Sequence, residues 1–298
     1  MDFIGIKGSG IDFIGRRRIW YIISAALIVI GLISLFTQGL NFGIDFKGGS
    51  LIQVKFNEAG IKTGEVRQVL GEFGLENSSI QEASDGSIVI KTVEIEQDKL
   101  GQVLKAFEEK LGKYDLLRSE KVGPVIGAEL RRAGILALVI ASILQIIYIT
   151  IRFEFKFAVA AILALLHDAF MAIGFFSLFQ FEVDSSFIAA VLTIIGYSIN
   201  DTIVIFDRIR ENLKNRRKES LQAVINNSIN QTLARSINTV LAVVFVLVAL
   251  LVLGGETTKN FSLALLVGVV SGAYSSICVA SPLWYQFKPE EHGKAKTA

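Results

Sequence analysis

Two carboxylates lie where an apolar chain tolerates them least. Asp168, next to His167, interrupts the apolar run Phe157–Phe179, and Asp201 sits in the polar stretch Ser198-Ile199-Asn200-Asp201-Thr202 within Phe187–Phe206. A charged side chain at mid-bilayer costs about 3 kcal/mol on insertion scales, so such residues are functional candidates by default. Taking up and releasing a proton is the chemistry that would repay this cost. The bland alternatives are a purely structural Asp201, and an Asp168 that is protonated or paired with His167 so as to lock two helices. Residue types alone do not separate these. Arg235 is the nearest cationic candidate for Asp201, flanked by Gln231, Thr232, Ser236, Asn238 and Thr239. It is equally an end charge that sets topology by reaching for the membrane surface. Ser198, Asn200, Thr202 and Asn238 are the polar groups expected to support the pair, with His167 beside Asp168.

These residues need elements that hold them in a membrane. In 298 residues, 52% are hydrophobic and 19% charged, which is wrong for an ordinary soluble domain. A bilayer core takes roughly 20 apolar residues as a helix, and six stretches qualify: Ile19–Phe36, Ala133–Ile151, Phe157–Phe179, Phe187–Phe206, Ile237–Gly254 and Phe261–Tyr285. Counted from Phe187, Asp201 lies about 21 Å from the outer face. Residues 37–132, between the first and second stretches, have the charge density of a water-soluble domain. The expected organisation is a tail (1–18), one span (19–36), a soluble domain (37–132), five further spans (133–285) and a second tail (286–298).

Orientation follows from Lys and Arg in the short connections. One side, comprising both tails and the second-to-third and fourth-to-fifth loops, holds sixteen; the other holds only Lys259. Both termini are therefore expected in the cytoplasm and residues 37–132 outside. Arg16, Arg17 and Arg18 before an apolar run suggest a signal peptide, but the run is too long and Phe36-Thr37-Gln38 offers no cleavage site, so a retained anchor is expected. The net charge of +2 is a topological signal and does not point to nucleic acid. The run Lys214–Lys218 is expected to be a solvated loop, with anionic lipid or a ribosome-side partner as the alternative contacts. The single Cys278 lies in the sixth span, which rules out an intrachain disulfide. No phosphate-cradling loop, His-Glu-x-x-His or Gly-x-Ser-x-Gly motif is present, so the chain reads as neither an ATPase nor an enzyme, and no metal or cofactor is expected.

Within residues 37–132 the pattern alternates. Ser50–Phe56, Ser79–Ala83, Ser87–Ile95 and Asp115–Lys121 are extended, while Lys62–Phe73 and Asp98–Leu111 have helical spacing. The order βαββαβ predicts an α+β ferredoxin-like sandwich carried by a six-span α-helical membrane protein. Its edges hold Gly43, Asp45, Gly48 and Gly49 on one side and Gly123, Pro124 and Gly127 on the other. These segments either turn the chain sharply at the membrane surface or act as hinges. In the sixth span Ala264, Gly268, Gly272 and Ser276 recur every four residues as a smooth face for helix contact.

Several motifs together carry a resemblance: Asp12-Phe13-Ile14-Gly15-Arg16, Asn41-Phe42-Gly43-Ile44-Asp45-Phe46-Lys47-Gly48-Gly49, Gly123-Pro124 with Gly127, Glu129 and Leu130, Leu166-His167-Asp168, and Ile195-Gly196-Tyr197-Ser198-Ile199-Asn200-Asp201-Thr202 running on to Asn212. Over essentially the whole chain the sequence resembles the SecD/SecF protein-export family of the resistance-nodulation-division superfamily. The resemblance implies a six-span half that pairs with a SecD-like half beside the SecYEG channel and couples proton flow to late export of unfolded polypeptide. It also implies that Asp201 and Arg235 serve proton transport, ahead of Asp168. A small-molecule or lipid exporter half, and a non-transporting assembly subunit, are the competing functions.

Overall fold

The computed structural model describes residues 10–58, 60–83, 85–216 and 219–288. The tail segments 1–9 and 289–298, and Arg217 and Lys218 of the basic loop, lie outside the described residues.

Among the described residues, six helical spans are long and apolar enough to cross a membrane. The first, α1 (Arg17–Thr37), ends at Gly39, whose φ of 70° is left-handed and suits glycine. A two-residue strand β1 (Asn41–Phe42) and a one-turn helix α2 (Ile44–Lys47) follow, before the small domain. That domain runs β2 (Gly49–Phe56), α3 (Thr63–Gly71), β3 (Ser79–Glu82), β4 (Ile88–Thr92), α4 (Gln97–Leu111) and β5 (Tyr114–Val122). Its four strands form one antiparallel sheet in the order β3-β4-β2-β5. Alternation along β2 turns Ile52 and Val54 toward α3 and α4, where Val66, Leu70, Val103 and Phe107 complete a fully enclosed core. Leu51 faces the other way and packs with Val89 and Ala83.

The second span, α5 (Pro124–Arg152), starts at Pro124, nine residues before the expected Ala133. Proline suits the first helical turn because its missing N–H would be unpaired there anyway, and Glu129, Arg131 and Arg132 stay exposed on this early part. The remaining helices are α6 (Phe155–Phe179), α7 (Ser185–Lys214), α8 (Leu221–Leu253) and α9 (Glu256–Ser275). A π-turn (Ser276–Ala280) joins α9 to α10 (Ser281–Gln286), and Thr258–Gln286 forms the sixth span. The helix α8 begins sixteen residues before the expected Ile237. Leu221, Val224, Ile225, Ser228, Ile229, Thr232 and Ser236 recur at helical spacing and bury one stripe of this polar extension. A second two-residue strand, β6 (Glu182–Val183), joins α6 to α7 and pairs in parallel with β1.

The sixth span is the most enclosed of the helices, and its glycines explain the fit. A Cβ built on Gly268 would lie 2.2 Å from the Ile194 side chain, and one on Gly272 would lie 3.0 Å from Ser198 Cβ. Gly31 of α1 and Gly174 of α6 meet backbone to backbone in the same way.

Candidate functional site

Asp201 follows Ser198 by three positions on α7, so both project from one face toward the sixth span. There Ser271 and Ser275 stand one turn apart on α9, and Ser276 opens the π-turn. Asp168 is fully buried, and its carboxylate accepts four hydrogen bonds. Ser271 Oγ (2.7 Å) and His167 Nδ1 (3.0 Å) donate to Oδ1; Ser198 Oγ (2.5 Å) and Ser275 Oγ (2.7 Å) donate to Oδ2. These fill the lone-pair directions a carboxylate offers. Asp201 is 9% exposed and accepts two bonds, from Ser236 Oγ of α8 to Oδ1 (2.8 Å) and from Ser276 Oγ to Oδ2 (3.0 Å). The neighbours Ser275 and Ser276 thus hold different carboxylates. The π-turn widens the helix at this point, and the Ser281 hydroxyl bonds back to the Ser276 carbonyl at 3.0 Å.

The expected Asp201–Arg235 contact is not made in this structure. Ser236 points at Asp201, and a helix turns about 100° per residue, so Arg235 falls on a different face and is exposed. Of the polar residues expected to support Asp201, Ser198 bonds Asp168 instead, Thr202 Oγ1 bonds the Ser198 carbonyl, Asn200 is exposed, and Asn238 is partly buried without a bond to Asp201. Arg235, Asn200 and Thr239 are exposed along the α7–α8 surface, where Tyr197 Oη donates to the Thr239 carbonyl at 3.2 Å. Ser271 and Ser275 of the sixth span are the residues that sequence reasoning missed, and Ser276 was read there only as part of a packing face. Their signal is a serine repeated at i, i+4 and i+5 within an otherwise apolar span.

A second constellation joins the small domain to the membrane helices. Gly43 N donates to the Val183 carbonyl at 2.9 Å, and Asp45 Oδ2 accepts from Ser185 N (2.9 Å) and Ser185 Oγ (2.5 Å) at the start of α7. Lys91 of β4 pairs with Glu182 of β6. A Cβ on Gly127 would lie 3.1 Å from the Phe46 carbonyl oxygen, and one on Gly48 would lie 3.0 Å from Pro124. The two glycine segments therefore pack against each other, with Gly48 (φ 78°) and Gly49 (φ 146°) in conformations that favour glycine. The geometry is that of a packed joint, and any swing of the domain must break it. At the far end of the helices, Asp12 accepts from Gly15 N (2.7 Å) and Asn226 Nδ2 (2.6 Å), docking the N-terminal segment on the first turns of α8.

Six apolar spans around two buried carboxylates define a multi-pass membrane protein with ionisable groups at its centre. Comparison with known proteins makes this specific. Residues 102–290 match the family model described as protein export membrane protein SecD/SecF, C-terminal, and residues 33–59 match the SecD/SecF GG motif. The chain belongs to the SecD/SecF protein-export family. It is 43% identical to protein translocase subunit SecF of Sebaldella termitidis, covering 93% of this chain and 94% of the relative. With the SecF subunit of Magnetococcus marinus it shares 44% identity over 98% of this chain and 97% of the relative. The crystal structure of SecDF, a translocon-associated membrane protein from Thermus thermophilus, superimposes with a TM-score of 0.85 at 36% identity, covering 93% of this chain and 38% of that one. The chain thus spans little more than a third of that SecDF chain.

Proposed function

We propose that the protein is a non-enzymatic, SecF-type subunit of the protein-export machinery, pairing with a SecD-like subunit in the bacterial cell membrane. In this reading it acts beside the SecYEG channel on unfolded polypeptide, with protons as its coupling ion and no other cofactor. The observation that carries the mechanism is the contrast between the two carboxylates. Asp168 has its lone pairs filled, whereas Asp201 accepts only two bonds and keeps lone-pair capacity for a proton. On this view Asp201 carries the proton and Asp168 fixes the helices around it.

Arg235 supports the partner assignment. A guanidinium on the outer surface one residue from the Asp201 contact is poorly matched to lipid, which makes the α7–α8 face suited to a second subunit. A helix shift that turns Arg235 toward Asp201 would favour the charged carboxylate, and its reversal would favour the protonated one. Each elementary charge crossing 100 mV releases about 2.3 kcal/mol, enough to bias two helix packings of similar energy. The small domain is read as an outward-facing ferredoxin-like fold; its βαββαβ order and antiparallel β3-β4-β2-β5 sheet support that assignment.

The test is proton-driven export by the co-reconstituted complex in vesicles. Asp201→Asn should assemble normally and lower proton-driven export by about tenfold or more, and Arg235→Ala should do nearly the same. Full proton-driven export by Asp201→Asn would overturn the assignment.

A further inference from the structure

His167 has a role that the structural reading of Asp168 leaves unexplained. It is 5% exposed, its Nδ1 lies 3.0 Å from Asp168 Oδ1, and its Nε2 is buried without a hydrogen-bond partner among the described residues. With three serine hydroxyls also donating to Asp168, the consistent arrangement is Nδ1–H donating and Nε2 bare. Asp168 lies on one side, and the Tyr274 ring lies at 5.9 Å between centroids, within the range of a cation–π contact.

We propose that His167 is a second protonation site of the membrane domain, taking a proton at Nε2 while Asp168 stays ionised as its positioning residue. The proton adds to the Nε2 lone pair, Nδ1 keeps its own proton on Asp168, and the ring becomes an imidazolium paired with the carboxylate; release reverses the step. A proton on Asp168 would instead displace one of four donors, whereas a proton on Nε2 displaces none. The groups facing the site come from several helices. Tyr274 faces the ring from α9, with Cys278 four residues further on. On α7, Asp201 lies one turn beyond Ser198, and Ser275 and Ser276 tie both carboxylates to the sixth span. On α1, Ser24 Oγ and the Trp20 carbonyl hold the Tyr274 hydroxyl at 3.1 and 2.9 Å, so the α1–α9 seam closes over the ring.

The inference extends the proton-coupling reading of Asp201 but is tested apart from it. The chain has two histidines, His167 and His292, so His292→Asn leaves a single ring to observe. Nitrogen-15 NMR of that full-length protein in phospholipid bilayers, from about pH 5 to about pH 9, reads each ring nitrogen separately. Nδ1 should stay protonated throughout, and Nε2 should be bare at the alkaline end and gain a proton on acidification. Asp168→Asn should populate both tautomers, because the amide no longer dictates which nitrogen donates. Ser271→Ala, a milder change at the same carboxylate, should keep Nδ1–H. An Nε2 proton that does not change over the range, or a bare Nδ1 at any pH, would overturn the proposal whatever the behaviour of the variants. In vesicles His167→Gln should lower proton-driven export about tenfold, and unchanged export would overturn a role in coupling. Loss of coupling confined to Asp201 would leave the reading of Asp201 standing without His167. A titrating His167 beside a fully active Asp201→Asn would do the reverse.

Discussion

Serine hydroxyls, which carry no charge, supply most of the hydrogen bonds to the two buried carboxylates of this membrane domain. Four donors hold Asp168 and two hold Asp201, and removing one donor from each set should have different consequences. The same arithmetic applies to an exposed carboxylate, Asp12, just before α1. The Gly15 amide above all, then Asn226, Gln222 and the Arg16 charge, hold its carboxyl below the ordinary value of 3.8 against a smaller opposing effect of partial burial. A depressed folded value contributes stability that is present above the unfolded value and is lost as pH falls through the folded one. Docking of the N-terminal segment on α8 should therefore persist at neutral and mildly acidic pH and loosen only in strong acid. Asp12→Ala should loosen it at every pH. Hydrogen exchange at Ile14, whose amide donates to Asn226 Oδ1 at 3.1 Å, reports both effects. Equal protection of Ile14 in the variant and the parent at neutral pH would refute the assignment.

At the scale of elements, the seam between α7 and α9 is set by what is missing from two residues. A methyl group at Gly268 meets the buried Ile194 side chain, and one at Gly272 presses on Ser198, which holds Asp168. Overpacking of this kind costs about 1–3 kcal/mol, so Gly268→Ala and Gly272→Ala should lower the melting temperature of the purified protein. Gly196→Ala is the control: its Cβ would meet nothing within 4 Å, and the gain in helix propensity should leave stability unchanged or slightly raised. A melting temperature unchanged in all three would mean that the seam is loose. The spacing Ala264-Gly268-Gly272-Ser276 was legible in the sequence because a four-residue repeat marks one helix face. Likewise, period and length exposed the six spans and the order of strands and helices in the small domain. The direction of Arg235 was not legible, because it depends on which face of α8 meets α7, and no local pattern fixes that. The strands β1 and β6 were hidden for a related reason: each has two residues, and its partner lies about 140 positions away.

For the whole molecule, the charge asymmetry of the short connections leads to a topology that labelling can check. Cysteines placed at Asn57 and Asn215 should react from opposite sides of sealed cells, the first from outside and the second only after the membrane is opened. Equal labelling from one side would reject the orientation and the outward placement of the small domain. That domain rests on a joint whose parts come from distant stretches of chain: Gly43 and Asp45 before it, Lys91 within it, and Val183, Glu182 and Ser185 beyond the third span. This arrangement constrains the order in which the protein can be made. Asp45 emerges early and waits without its partner until some 140 further residues, including two spans, have been synthesised and threaded. The small sheet has its own core, and its exit segment packs on the start of α5, but the joint is not complete until Glu182, Val183 and Ser185 have been made. A nascent chain stopped short of Glu182 should therefore carry a domain held only against the start of α5, and completion of the joint becomes a signal, on one side of the bilayer, that the helix bearing Asp201 has begun.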